Sequence, residues 1–128
     1  VLTQALTGIP ASQRLASRVE EFMLDDHGVR FVSDQPWVTT AETCECAMAY
    51  LAIGDEATAH RLFQSIQPLR DLDGAYFTGM VFPETITFPD GERSTYSSAA
   101  VILASDALTN NSAASQLVLG HGLPSLGS

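Results

Sequence analysis

Three glutamates, Glu42, Glu92 and Glu84, are the candidate catalytic acids of this chain. They stand near Trp37, Tyr76, Phe77, Phe82 and Phe88 in the sequence. Carboxylates beside aromatic faces suit two ligand classes. A sugar stacks on a ring while two acids flank its glycosidic bond, one protonating the leaving oxygen and the other acting as base or nucleophile. An isoprenoid instead offers a carbocation that aromatic faces stabilise. Glu42 with Glu92 or Glu84 is the expected pair, with Glu42 or Glu92 as general acid.

Each residue also has a plainer role. Glu42, at a helix start, would serve the backbone amides and the dipole there. Glu92 and Arg93 would form a local ion pair or cap the following helix. Phe82-Pro83 and Phe88-Pro89 would pin a loop, and Trp37 would be a packing anchor. His27, His60 and His121 share no ligand spacing and receive no role. Cys44 and Cys46 lie about 200° apart on a helix and cannot bridge. They read as buried free thiols of a reducing, cytoplasmic compartment.

The elements that must position these groups are helical. Pro10-Ala11-Ser12 opens a helix to about Met23, ended near Gly28. A second is expected from Thr39 or Thr40 to Ile53, and a third from Glu56 to Leu69. A fourth runs from Ser94 to Leu108, and a short one from Ala113 to Leu119, before a frayed tail over Gly120–Ser128. The first and third are amphipathic, while the second and fourth are apolar or small nearly all round. Outer helices alternating with enclosed ones describe a two-layer ring, and glycines 46 residues apart (Gly28, Gly74) agree with a repeat. The fold class expected is all-α. The 21 residues from Asp73 to Arg93 form a long loop at the ring's mouth, long enough to be functional.

Composition narrows the partners. Fifteen acids against six arginines give a net charge of −9, and the 128 residues include no lysine. Schiff-base chemistry is thereby excluded within the chain, and without a basic cluster neither nucleic acid nor an anionic membrane surface is expected. The longest apolar run, Ala99–Ala104, has six residues, far short of the ~20 of a membrane span. Charged residues are only 16%, against roughly 25% in ordinary soluble domains, so an unusual share of the surface is expected to be covered. The chain starts at Val1, which suggests processing or a fragment.

The segment 28–55, with Trp37-Val38-Thr39-Thr40-Ala41-Glu42-Thr43-Cys44, resembles one hairpin of the terpenoid-cyclase and protein-prenyltransferase α/α toroid. Asp73–Gly79, followed by Gly91-Glu92-Arg93-Ser94-Thr95-Tyr96, resembles the next. The match, closest in character to actinobacterial prenyltransferase-like proteins, covers about Ala11 to Leu119. It implies a partial ring of about two to three hairpins, completed by preceding hairpins or another chain. It also implies a hydrophobic or isoprenoid substrate in the ring cavity, contacted by Trp37, Tyr76, Phe77, Phe82, Arg93, Tyr96 and Cys44. The family's zinc motif would fall on Glu42-Thr43-Cys44 and Tyr96-Ser97. A serine in place of the histidine is a poor zinc ligand, so neither metal nor cofactor is expected. The Asp-rich motifs of the cyclases and synthases are missing, and Arg93 is the single cation near the presumed mouth for a diphosphate. Two other functions therefore stand beside the prenyl reading: a non-catalytic scaffold that keeps the ring, and a carbohydrate-active α/α toroid enzyme.

Overall fold

A computed structural model describes residues 1–2 and 6–121. Six helices appear in order: α1 (Gly8–Ala16), α2 (Val19–Phe22), α3 (Thr40–Ala52), α4 (Glu56–Ser65), α5 (Thr95–Thr109) and α6 (Ala113–Val118). Five short strands lie between them: β1 (Met23–Leu24), β2 (Gly28–Val29), β3 (Trp37–Thr39), β4 (Gly79–Val81) and β5 (Ile86–Phe88). With 52% helix and 14% strand the chain is mostly helical rather than all-α, and these elements do not by themselves close or outline a toroid. The tail expected to fray lies, from residue 122 onward, outside the described residues.

Helix α3 is the centre of the packing. It lies between α4 and α5, and α6 packs on α5. Small side chains allow this close approach: Ala41, Cys44, Ala47 and Ala49 are buried on α3, beside the longer Met48, and Ala100, Ala104 and Ala107 on α5. Ile66, Leu69, Val38, Tyr76, Met80 and Phe82 complete the main core. Helix α5 is less enclosed than its composition predicts, because Ile102 is 68% exposed and Leu103 lies beside it on the open face.

Local chemistry sets the helix ends. Asp55 caps α4 by accepting from the Thr58 amide at 3.1 Å. Ser94 caps α5 by accepting from the Ser97 amide at 3.1 Å, which leaves Glu92 free of the capping role suggested for it. The first expected helix is broken at Ser17-Arg18 into α1 and α2. The third ends as α-helix at Ser65 and tightens into a 3-10 turn, Gln67–Leu69, around Pro68.

The chief departure from a purely helical layout is the segment 73–93. It contains β4 and β5, which extend β3 into an antiparallel sheet of order β3-β4-β5. Trp37 pairs with Val81, Thr39 with Gly79, and Gly79 with Phe88. Strand alternation turns Val38 into the core, where it is fully buried, and puts Trp37 and Thr39 on the other face. Gly79 matters sterically: a Cβ there would stand 2.5 Å from the Phe88 ring and 2.8 Å from the Val38 carbonyl. Lacking one, Gly79 lets the Phe88 side chain lie across β4 toward Trp37. The sheet is tied to the start of α3 through the Thr40 hydroxyl, which donates to the Phe77 carbonyl at 2.7 Å, and the Thr40 amide, which donates to the Thr78 carbonyl at 3.1 Å.

Candidate functional site

The sheet and the first turns of α3 and α5 enclose a cavity of about 330 Å³, inside the ~300–1,000 Å³ range of small-molecule sites. Its rings are Phe31, Trp37, Phe88 and Tyr96, its acids Glu42 and Glu92, with Thr39, Ala41, Thr78, Pro89 and Ser97 filling the rest. Trp37 and Phe88 meet at 5.7 Å between centroids, tilted by 45°, a favourable aromatic geometry. Trp37 is 39% exposed and Tyr96 60%, so large apolar faces are presented to solvent inside a concavity. Exposed rings so arranged are available to a ligand.

The two acids are held differently. Glu42 sits in the first turn of α3, where its charge suits the helix dipole, and among the described residues no donor bonds its carboxylate. Glu92 is fixed twice to one residue. Its carboxylate accepts from the Thr78 hydroxyl at 2.8 Å, and its carbonyl accepts from the Thr78 amide at 2.8 Å. Glu92 therefore arrives at the cavity on a pinned backbone, from the loop that follows β5. Tyr96 donates its phenol hydrogen to Glu45 at 2.6 Å. That bond first, then the charge of Glu45, burial, and the charge of Glu42, raise the Tyr96 phenol above its ordinary value.

Trp37, Glu42, Glu92 and Tyr96 thus share one cavity, and the other expected site residues lie elsewhere. Glu84 is exposed in the turn between β4 and β5. Tyr76 is buried, donates its hydroxyl to Gln67 at 3.1 Å, and faces a separate groove of about 600 Å³ between α4 and α5. That groove is the larger one, but it combines a single acid, Asp106, with no cluster of exposed rings. Phe77 runs antiparallel to Leu69, its amide bonded to the Leu69 carbonyl. Phe82 is buried and stacks on His27 at 4.0 Å. Arg93 turns from the cavity to pair with Asp71 at 2.9 Å and Asp73 at 2.6 Å, so the local ion pair expected with Glu92 forms with other acids. Cys44 is fully buried in the core, and burial, with the charge of Glu45, pushes its thiol up to about 12. Two residues apart on α3, Glu42 lines the cavity while Cys44 is buried in the core. Phe31, Thr78 and Glu45 were not marked by sequence spacing. Phe88 was among the loop aromatics named beside the acids, and the sheet brings it to Trp37.

No family model matches the chain. It is similar, with 43% identity over 124 residues (97% of its own length), to a Mycolicibacterium hassiacum protein named MMP endo-(1,4)-3-O-methyl-alpha-D-mannosidase. The relative's name is that of a glycosidase. This overturns the resemblance to prenyltransferases and terpenoid cyclases, and with it the transferase reading and the isoprenoid as partner. The repeat of glycine, aromatic and small residues that suggested those families marks packed helical hairpins in general and carries no information about substrate. The chain spans 34% of that relative's length. Among the described residues, no helix is long and apolar enough to cross a membrane.

Proposed function

We propose that the cavity binds a saccharide and that the chain forms part of a carbohydrate-active enzyme, with a partly O-methylated α-mannoside chain as substrate. One observation carries the reading: Glu42 and Glu92 enter a single cavity walled by the exposed rings of Trp37, Phe31 and Tyr96 and the half-buried ring of Phe88. The apolar face of a pyranose stacks on such rings, and carboxylates accept from its hydroxyls. A methyl ether replaces a hydroxyl donor with an apolar group, which suits a wall of rings, Ala41 and Pro89. The relative's printed substrate has this chemistry.

Two carboxylates and an aromatic platform make up the parts list of glycoside cleavage. Glu42, whose oxygens no protein donor engages among the described residues, supplies the proton to the leaving oxygen. Glu92, oriented by Thr78, is the partner carboxylate that acts as base or nucleophile. A neutral sugar also agrees with a cavity that no arginine lines, since Arg93, beside Glu92 in the chain, is already paired with Asp71 and Asp73. We further infer that the α3–α4 and α5–α6 pairs are hairpins of a larger α/α ring, supported by the open apolar face of α5.

The test is incubation of the protein with an α-(1,4)-linked 3-O-methylmannose oligosaccharide, followed by measurement of new reducing ends. The expected result is release of shorter oligosaccharides. The absence of both turnover and binding at millimolar saccharide would sink the proposal.

A further inference from the structure

Glu45 does not line the cavity, yet it touches a residue that does. It lies one turn beyond Glu42 on α3, and residues three apart share a helix face. Across the gap to α5 its carboxylate accepts the Tyr96 phenol hydrogen at 2.6 Å, a bond between residues 51 apart in sequence. Tyr96 stands in the first turn of α5 with 60% of its surface exposed. A ring so exposed is free to change rotamer unless its far end is tied, and among the described residues the Glu45 carboxylate is the tie. Short hydrogen bonds to an ionised acceptor are the strong ones.

We propose that Glu45 is a positioning residue for the saccharide site, holding the Tyr96 ring in place as part of the cavity wall. The role rests on the saccharide reading above. A ligand that meets a ring already ordered binds more tightly than one that must order it. The bond contributes little to folding, since it is formed at the surface in high dielectric. It also keeps the phenol a neutral donor, because two neighbouring carboxylates, Glu45 and Glu42, oppose its ionisation. Glu42 contacts substrate in this account; Glu45 acts only through Tyr96.

The experiment combines two readouts on wild type, Glu45→Ala, Glu45→Gln, Tyr96→Phe and the Glu45→Ala/Tyr96→Phe double variant. Tyrosine absorbance against pH, with Tyr96→Phe assigning the phenol, should show Tyr96 ionising at lower pH once Glu45 is alanine. Binding of the 3-O-methylmannose oligosaccharide should weaken about three- to tenfold in Glu45→Ala. Glu45→Gln, which keeps an acceptor for the phenol, should recover most of that loss. The double variant should bind no worse than Tyr96→Phe, since the two residues act as one unit, and melting temperatures should barely move. An unshifted phenol titration in Glu45→Ala would show that the tie does not exist. A shifted titration with unchanged affinity would show a tie that positions nothing. If wild type bound no saccharide, the functional reading would fall and this role with it, while the titration would still report on the bond.

Discussion

Glu42 and Glu92 differ in what holds them, and that difference is testable. Replacing either by glutamine keeps the shape and removes the acid, so hydrolysis should fall by about 10²–10⁴-fold while saccharide affinity changes little. Turnover rates beside titrations would check this; unchanged turnover in both variants would remove the acid–base assignment. The cysteines give the opposite expectation. Burial pushes Cys44 to about 12 and Cys46 to about 11, so the reactive thiolate is scarce at neutral pH. Alkylation of the folded protein, followed by mass spectrometry, should be slow at both and fast after unfolding. At this scale the sequence pointed to Trp37, Glu42, Glu92 and Tyr96, and these four line one cavity, whereas Glu84, Tyr76, Phe77, Phe82 and Cys44 do not. Arg93 was not legible. Its partners Asp71 and Asp73 lie about 20 residues earlier, on the far side of the β4-β5 hairpin in sequence. Cys44 is the buried free thiol its helix position suggested, but it does not reach the cavity.

The elements that build the cavity include a sheet that hydrophobic periodicity did not reveal. Strands of three residues are too short to show alternation, and β4 begins with glycine, which ordinarily signals a turn. The reason for that glycine is the Phe88 ring lying over it. Gly79→Ala should therefore displace Phe88, destabilise the fold by about 1–3 kcal/mol through overpacking, and weaken saccharide binding. Denaturant melts and titrations would show both effects; an unaffected Gly79→Ala variant would contradict the close approach. The helices were more legible. The span of α3 matched its pattern within a residue at each end, and α5 followed its serine cap. The first helix was misread as continuous because apolar spacing persists through Ser17 and Arg18, although the backbone breaks there. The second reading to fail was the enclosure of α5: an all-apolar helix implies a covering partner, but one of its faces lies open in this chain.

Across the whole molecule, fifteen acids and no lysine make stability depend on how the carboxylates are used. The carboxyl of Asp55 is held below its ordinary 3.8 by the Thr58 amide and hydroxyl. Asp73 is lowered likewise by the Ala75 amide and then by Arg93. A lowered folded value means the stabilisation is present above about 3.8 and is lost as pH falls through the folded values. Melting temperature should therefore decline on acidification below that point, and Asp55→Ala should flatten the decline while costing about 1 kcal/mol near neutrality. A pH-independent melting curve in the acid range would contradict this. The chain spans 34% of the longer mannosidase-named relative, and binding by this chain is a more direct readout of the proposed site than turnover. The protein contains one tryptophan, Trp37, and it lies in the cavity wall, so its fluorescence reports on this site alone. Titration with the α-(1,4)-linked 3-O-methylmannose oligosaccharide should change Trp37 emission saturably in the wild type. A flat emission up to millimolar saccharide would contradict a sugar site at this cavity.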